Sequence, residues 1–246
     1  MRDRFRRSIE SYDDAALVQK ATGDELIAQM TLYPEIRYRR VLEVGCCTGS
    51  MTRTLCSTHP VVWLWVNDLV PECCQRTVAR VGSLLDTVVP LAGDIEAVDL
   101  PEDLDLIVSS STLQWLRDLP TTLTKFAEAL GEKGFLAFTL FGPGTMRQIA
   151  ELIGVELEYV PVERLAEMLG ARFRIRTMRT KTSTLYFDSP LAVLRHIQVT
   201  GVGGVGGYRW TPNRLRTFAG DYLRRFGTTR GVPLDYVAIT VIADKR

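Results

Sequence analysis

The fold of this chain is decided by Val41-Leu-Glu-Val-Gly-Cys-Cys-Thr-Gly49, an apolar run that leads into a turn bounded by two glycines. Residues 50–58 follow it with a pattern compatible with a helix. Glycine lets the backbone approach a ligand closely, and a helix N-terminus presents free N–H groups. The stretch therefore predicts a strand, a ligand-binding turn and a helix.

Further apolar segments continue this pattern along the chain. We expect strands at 39–45, 61–66, 88–92, 104–109 and 134–141. Strands that are apolar throughout are buried on both faces, which is typical of a parallel sheet, and the helices predicted at 71–81 and 119–130 alternate with them. Two later strands, at 173–187 and 234–243, complete a seven-stranded, doubly wound, Rossmann-like α/β sheet.

We expect one domain over residues 1–246. Its predicted parts are an N-terminal helical lid at 1–34, a cofactor-binding core at 38–141 and a C-terminal part at 142–246, with a helical insertion at about 188–230. Apolar spacing at 8–30 predicts one or two helices in the lid, with a break near Gly23, and the insertion has helices at 190–199 and 212–226.

Composition excludes several classes of protein. Of the residues, 46% are hydrophobic and the net charge is +1, so intrinsic disorder is excluded. No apolar run reaches the roughly 18 residues of a membrane helix, and the N-terminus lacks the apolar region of a signal peptide, so we expect a cytoplasmic protein without a membrane partner. Five cysteines without a CxxC spacing argue against disulfides or a metal site, and we expect small buried side chains.

Positive charge is concentrated late in the chain. Residues 171–230 hold 12 basic side chains against only Asp188 and Asp221. This excess predicts either a docking surface for an acidic partner or a solvated face of an edge strand and helices, and the sequence leaves both open.

The spacing Glu43-x-Gly45-x-x-x-Gly49 resembles the first motif of class I S-adenosylmethionine-dependent methyltransferases, (D/E)-x-G-x-G-x-G. The resemblance implies S-adenosyl-L-methionine as the methyl donor. Cys47 replaces the middle glycine, so its side chain has to fit beside the methionine part of the donor. Its backbone has to avoid a glycine-only conformation.

Acids stand at the ends of the next strands, as in that family. Asp68, 19 residues after Gly49, is placed to accept both ribose hydroxyls, although a strand-end acid also serves as a helix cap. The resemblance implies that Asp94 holds the adenine amino group, that Ile95 packs near the ring and that Ser109 lines the methyl-transfer channel. The full predicted cofactor set is Gln19, Glu43, Gly45, Cys47, Gly49, Asp68, Leu69, Asp94, Ile95 and Ser109.

Segments outside this core narrow the family. Together they resemble the malonyl-acyl-carrier-protein O-methyltransferases of biotin synthesis. The segments are Ser11-Tyr-Asp-Asp-Ala-Ala-Leu-Val-Gln19, Gly93-Asp-Ile-Glu96, Asp105-Leu-Ile-Val-Ser-Ser-Ser-Thr-Leu-Gln-Trp-Leu116, Gly134-Phe-Leu-Ala-Phe-Thr-Leu-Phe-Gly-Pro-Gly144 and Pro233-Leu-Asp-Tyr236. The resemblance implies methylation of the free carboxyl of a malonyl thioester, on acyl carrier protein or on CoA, by a monomer.

The same resemblance suggests substrate-side roles. Tyr12 is the candidate catalytic residue that orients the carboxylate, Gln19 closes over the donor, and Arg195 fixes the malonyl group beside a wall of Gln114 and Trp115. Core packing for Tyr12 and surface docking for Arg195 remain open alternatives. The candidate carrier-protein dock comprises Arg172, Arg174, Arg176, Arg214 and Arg216.

Other interpretations stay open. The chain is alternatively a methyltransferase of another small carboxylic acid, or a non-methylating assembly or hydroxylation factor on the same fold. A nucleic-acid methyltransferase is disfavoured, since no target-binding module is visible and the net charge is near zero. Gly201-Val-Gly-Gly-Val-Gly206 matches G-x-G-x-x-G but follows a helical pattern, so we interpret it as a flexible link or substrate-channel loop.

Overall fold

The computed structural model describes residues 15–154, 158–200 and 209–246. Within them the chain forms one seven-stranded sheet with helices on both faces. The strands are β1 (Arg40–Val44), β2 (Trp63–Asp68), β3 (Thr87–Ala92), β4 (Leu104–Ser110), β5 (Leu130–Phe141), β6 (Phe173–Phe187) and β7 (Val232–Lys245). The helices are α1 (Leu17–Met30), α2 (Ser50–Thr58), α3 (Pro71–Val81), α4 (Leu119–Ala129), α5 (Arg147–Ile153), α6 (Val162–Gly170), α7 (Pro190–Val199) and α8 (Pro212–Phe226), with a 3-10 turn at Leu113–Trp115.

The sheet has the order β3-β2-β1-β4-β5-β7-β6. Its first five strands are parallel, and β7 runs antiparallel between β5 and β6. This confirms the predicted α/β class. The order reverses between β1 and β4, and in such sheets the crevice beyond the carboxyl ends at the reversal is where ligands bind.

The two faces of the sheet bury different hydrophobic clusters. Leu42 and Ile107 face a layer covered by α4 and α6, whereas Val41 and Leu106 face α1, α2 and α3. This alternation follows from the two-residue period of a strand. Residues 41–44 of β1 and 106–109 of β4 are buried on both faces of the sheet, which is why these segments are mostly apolar.

The C-terminal helices bury a third cluster against β7. Phe218 and Tyr222 of α8 pack there with Val193 and Ile197 of α7. The predicted pair of helices between the last two strands is therefore present. Helix α5, which the sequence analysis did not predict, joins the same cluster through Ile149.

Two predicted boundaries are wrong. Helix α1 runs through Gly23 without a break, because this glycine allows close packing: a Cβ added there would lie 3.3 Å from the Met51 sulfur and 3.5 Å from Ser110 Oγ. Strand β5 begins at Leu130 rather than at 134, so Gly131 lies inside the strand instead of ending a helix.

The cysteine prediction holds in part. All five cysteines are free, and Cys46, Cys73 and Cys74 are buried, but Cys47 and Cys56 are only partly buried. In the part of the chain that the structure describes, no helix is long and apolar enough to cross a bilayer. The same residues contain no cluster of three or more His, Cys, Asp or Glu side chains arranged to hold a metal.

Candidate active site

The turn after β1 depends on its first glycine. Gly45 has a φ of +76°, and a Cβ there would lie 2.0 Å from Thr112 Oγ1, which no side chain can satisfy. The backbone N–H groups of Gly45 and Cys46 both donate to the Asn67 carbonyl at 2.9 Å. The turn is therefore tied to the end of β2, and only glycine fits at its start.

Cys47 adopts a left-handed backbone conformation in this turn. Its φ is +49°, so it occupies the left-handed region that favours glycine. An L-residue pays roughly 1–2 kcal/mol for this conformation. The Cys47 N–H donates to Asp68 Oδ2 at 2.9 Å, and this charge-assisted bond offsets part of the cost.

Asp68 lies at the end of β2, and its carboxylate accepts hydrogen bonds from the turn after β1 and from residues around the start of α3. Besides accepting from Cys47, its Oδ1 accepts from the Val70 N–H at 2.9 Å, and the Cys73 thiol also donates to it. Burial raises the pKa of Asp68, while the two backbone N–H bonds and the thiol bond lower it. A carboxylate oxygen accepts more than one hydrogen bond, so capacity remains for hydroxyl donors from a ligand.

Asp94 and Glu96 follow β3 and bind the same arginine. Arg117, whose side chain is 82% exposed, pairs with Asp94 Oδ2 at 2.8 Å and with Glu96 Oε2 at 3.5 Å. Asp94 Oδ1 accepts from the Glu96 N–H at 3.0 Å. Asp94 thus caps its own turn while its carboxylate remains beside the crevice.

The end of β4 differs from prediction by one position. Ser109 is fully buried and donates to the Val44 carbonyl at 2.9 Å, so it links β4 to β1 and does not reach the crevice. Its neighbours Ser110 and Ser111 line the crevice instead. A side chain in a strand alternates between the two faces, and this alternation, not the run of serines, determines which one is available.

Several buried polar atoms in the crevice lack hydrogen-bond partners among the described residues. Gln19 is only 7% exposed, and neither its Nε2 nor its Oε1 has a hydrogen-bond partner among the described residues. Glu43 Oε2 is likewise buried and without one. Burial raises the pKa of Glu43 to about 8, and the nearby Asp68 adds to this shift. Unsatisfied buried polar groups are costly, so their clustering points to a ligand that supplies the missing bonds.

These groups surround one cleft of about 380 Å³ at the carboxyl ends of β1 to β4. Eight predicted cofactor residues belong to its lining: Gln19, Glu43, Gly45, Cys47, Asp68, Leu69, Asp94 and Ile95. The predicted wall residue Trp115 lines it as well. Gly49 does not; it begins α2 with a φ of +76° and packs against Thr77.

The remaining predicted substrate residues lie elsewhere. Gln114 is outside the lining, and its Nε2 donates to the Ser111 carbonyl at 2.7 Å. Arg195 is exposed on α7 and is not among the lining residues. Tyr12 and the Gly201-Val-Gly-Gly-Val-Gly206 stretch lie outside the described residues, so their predicted roles stay predictions.

The basic segment is partly neutralised by acids from other parts of the chain. Arg174 and Arg176 share Asp244, at 2.7 and 2.5 Å, and Arg176 also pairs with Glu35 at 3.5 Å. Lys181 pairs with Glu25 at 2.6 Å. Counting charges within residues 171–230 alone therefore overestimated the positive charge at β6, because acidic residues distant in sequence form ion pairs with its basic side chains.

Other predicted docking residues bind neutral groups. Arg216 Nη2 donates to Asn213 Oδ1 at 2.9 Å, and Arg214 Nη1 donates to the Arg209 carbonyl at 3.0 Å. Arg172 is exposed just before β6.

Sequence reasoning missed several cleft residues. Arg117 and Cys73 both line it. The sequence offered a reason to predict Cys73, since it lies in the first turn of the helix that begins at Pro71, close to Asp68. No sequence feature pointed to Arg117, because its contact with Asp94 depends on the 3-10 turn that the sequence analysis did not predict.

The cleft suits S-adenosylmethionine. Asp68 and Asp94 offer carboxylate oxygens at two successive strand ends, and Gln19 and Glu43 supply buried polar atoms in need of partners. The donor carries a ribose diol, an adenine amino group and an ammonium group, which are hydrogen-bond donors of the kind these acceptors require.

Comparison with known proteins agrees with this chemistry. Residues 41–134 match a family model described as a methyltransferase domain. A malonyl-[acyl-carrier protein] O-methyltransferase of Chlorobium phaeovibrioides is 39% identical over 99% of this chain and 95% of that protein. One of Bacteroides helcogenes is 36% identical over 99% of this chain and 97% of its own length.

Solved structures agree on the fold. The YcgJ protein of Bacillus subtilis superimposes with a TM-score of 0.64 at 15% identity, covering 90% of this chain and 98% of that one. The [4+2]-cyclase SpnF superimposes with a TM-score of 0.55 at 17% identity, covering 90% and 79%. Similarity at this level shows only the fold. The near full-length sequence matches show more: this chain belongs to the malonyl-[acyl-carrier protein] O-methyltransferase family, whose methyl donor is S-adenosylmethionine.

Proposed function

We propose that this chain transfers a methyl group from S-adenosylmethionine to the free carboxylate of a malonyl thioester carried by acyl carrier protein. The observation that carries the proposal is the extent of the similarity. The family model ends at residue 134, but the curated relatives match about 99% of the chain, including β6, β7 and the helices between them. The part that would distinguish one methyl acceptor from another is therefore shared.

The proposed methyl transfer does not require the protein to remove a proton from the substrate. When bound, the donor supplies an electrophilic methyl group on a positively charged sulfur. A malonyl carboxylate is ionised at neutral pH and needs no general base. The chain's task is to bind, align and exclude water. In the proposal, Gln19 and Glu43 contact the donor in the cleft. Trp115 and Ser111 line the same cleft.

In the proposed complex, Asp68 binds the ribose hydroxyls and Asp94 binds the adenine amino group. Support comes from their positions at the ends of β2 and β3, with both carboxylates lining one cleft. Tyr12, in the proposal, orients the malonyl carboxylate. We further propose that the enzyme acts as a monomer in the pathway of biotin synthesis.

Carrier-protein docking is proposed for the N-terminal half of α8. Arg214 and Arg216 are exposed there, and Arg216 donates to the neutral Asn213 Oδ1. Arg174 and Arg176 contribute less, because Asp244 pairs with both. Acyl carrier protein is acidic, so the attraction is electrostatic and depends on salt.

The test is transfer of labelled methyl from S-adenosylmethionine to malonyl-acyl carrier protein and to malonyl-CoA. Wild type is expected to methylate the malonyl group of the carrier-linked substrate. Reversing charge in Arg214→Glu/Arg216→Glu is expected to lower kcat/KM for the carrier-linked substrate about tenfold and to change malonyl-CoA less than about twofold.

Arg224→Glu is the matched control, because Arg224 lies on the same helix but pairs with Asp221 at 2.5 Å. Equal losses on both substrates in the double variant would reject α8 as the dock. Methylation of free short-chain acids in place of the malonyl thioester would reject the proposed substrate.

A further inference from the structure

Four of the five cysteines meet at one place beside the cleft. Cys46 and Cys47 belong to the glycine turn after β1, and Cys73 and Cys74 belong to the first turn of α3. The thiols form two cross-connected pairs: Cys47 hydrogen-bonds Cys73, and Cys46 hydrogen-bonds Cys74. Two segments distant in sequence are thus joined through sulfur contacts at the base of the donor's ribose site.

The two pairs differ in access. Cys47 and Cys73, which form one pair, both line the cleft, whereas only Cys46 of the other pair does. Cys74 is fully buried and does not line it. The fifth cysteine, Cys56, lies in α2 outside the cleft lining. Reactivity of a buried thiol follows access and local environment, so the cleft-lining pair is the one exposed to soluble oxidants.

This pair also contacts groups that build the donor site. The Cys73 thiol donates to the Asp68 carboxylate, and the Cys47 backbone N–H donates to Asp68 Oδ2 at 2.9 Å. Thr77 Oγ1 of α3 donates to the Cys47 carbonyl at 3.4 Å. Any change at the sulfurs is therefore transmitted to Asp68 and to the turn after β1.

We propose that Cys47 and Cys73 form a site of reversible oxidation, at which a hydroperoxide converts the two thiols to a disulfide that lowers affinity for the methyl donor. The inference rests on the proposed donor site but not on the methyl acceptor. Both cysteines are free, and hydrogen bonding to Cys73 and burial raise the pKa of the Cys47 thiol.

The reaction balances in two steps. One thiolate attacks a peroxide oxygen, the O–O bond breaks, and the products are a sulfenic acid and, after protonation, water. The second thiol then attacks the sulfenic sulfur, an S–S bond forms, and the sulfenic oxygen leaves as a second water. Two thiols are oxidised, and one molecule of hydrogen peroxide is reduced.

The disulfide would weaken donor binding for a geometric reason. Bonded sulfurs are about 2.05 Å apart, which is much closer than two sulfurs joined by a hydrogen bond. Closing that gap draws the Cys47 turn towards α3. It also removes the thiol that donates to Asp68. Both changes act on the carboxylate proposed to hold the ribose.

The experiment measures S-adenosylhomocysteine affinity by calorimetry before and after treatment with hydrogen peroxide, and again after dithiothreitol. In wild type, peroxide is expected to weaken binding by about tenfold or more, and dithiothreitol is expected to restore it. The response is the ratio of oxidised to reduced affinity within each variant, so altered basal affinity in a variant does not confuse it.

Single serine variants identify the pair. Mapping alone is insufficient, because tryptic cleavage leaves Cys46 and Cys47 on peptide 41–53 and the other three cysteines on peptide 54–76. Cys47→Ser and Cys73→Ser are expected to lose both the peroxide response and the cross-linked peptide. Cys74→Ser and Cys56→Ser are the controls and are expected to keep them.

Clear outcomes overturn the proposal. Wild type that keeps its affinity in peroxide, or a response that survives Cys47→Ser and Cys73→Ser but disappears in Cys74→Ser, would reject this pair. Failure of the reduced protein to bind S-adenosylhomocysteine would instead contradict the proposed donor site. The two failures are therefore distinguishable.

Discussion

Glu43→Gln is expected to stabilise the protein, and more so as the pH rises. Glu43 is fully buried beside Asp68, and burial raises the pKa of its carboxyl to about 8 from an ordinary 4.5. Between these values the folded state binds more protons than the unfolded state. The free energy of unfolding therefore falls as the pH rises through this window.

The magnitude follows from the two pKa values. Each unit of difference is worth about 1.4 kcal/mol, so the carboxyl costs about 2.5 kcal/mol more at pH 7 than at pH 5. Glutamine cannot ionise and removes this dependence. The difference in unfolding free energy between Glu43→Gln and wild type is thus expected to grow by about 2.5 kcal/mol from pH 5 to pH 7.

Urea denaturation of both proteins at several pH values measures this difference. Glu132→Gln, an exposed glutamate on β5, serves as the control for removing a negative charge at the surface. A difference between Glu43→Gln and wild type that stays constant from pH 5 to pH 8 would refute the argument, since Glu43 would then be ionised as in the unfolded chain.

Three further changes test the cleft. Gly45→Ala places a Cβ 2.0 Å from Thr112 Oγ1 at a φ of +76°. The substitution is expected to lower the free energy of unfolding, measured by urea titration, by several kcal/mol. Unchanged stability would refute the argument that only glycine fits at the start of this turn. Asp68→Asn replaces the carboxylate that accepts backbone N–H groups with an amide. The variant is expected to bind S-adenosylhomocysteine about tenfold to 100-fold more weakly in calorimetry. Wild-type affinity would exclude Asp68 from the ribose site. Asp94→Ala is expected to weaken the same binding about tenfold. Arg117→Ala, which removes exposed ion pairs to Asp94 and Glu96, is expected to change it less than about twofold. Equal effects would mean that Asp94 acts through its pairing with Arg117.

The sequence predicted the parallel part of the sheet well because its central strands are mostly apolar. Val41 and Leu106 on one face, and Leu42 and Ile107 on the other, leave no solvated face, and this pattern is specific to a parallel sheet under two layers of helices. Boundaries were less predictable. Gly131 looked like a helix end but lies in β5, because strand pairing with β4 extends back to Leu130.

The site was predictable where chemistry follows directly from strand ends. Asp68 and Asp94 come straight after β2 and β3, so their meeting at one edge follows from topology. What depends on side-chain direction was not predictable. Ser109 points between strands instead of into the cleft, and Asp244 neutralises arginines some 70 residues away in sequence.

Cys47 shows a third kind of limit. Its φ of +49° lies in the left-handed region, and the bond from its N–H to Asp68 holds it there. The turn keeps its shape because several contacts determine it together. A single position in a motif therefore says little about whether the turn survives.

The central claim is that the cleft beyond β1 to β4 seats the methyl donor. A crystal structure of the reduced protein with S-adenosylhomocysteine tests it most directly. The account predicts both ribose hydroxyls on the Asp68 carboxylate and the adenine amino group on Asp94. A nucleoside bound elsewhere, or a cleft in which the Cys47 side chain occupies the ribose position, would contradict it.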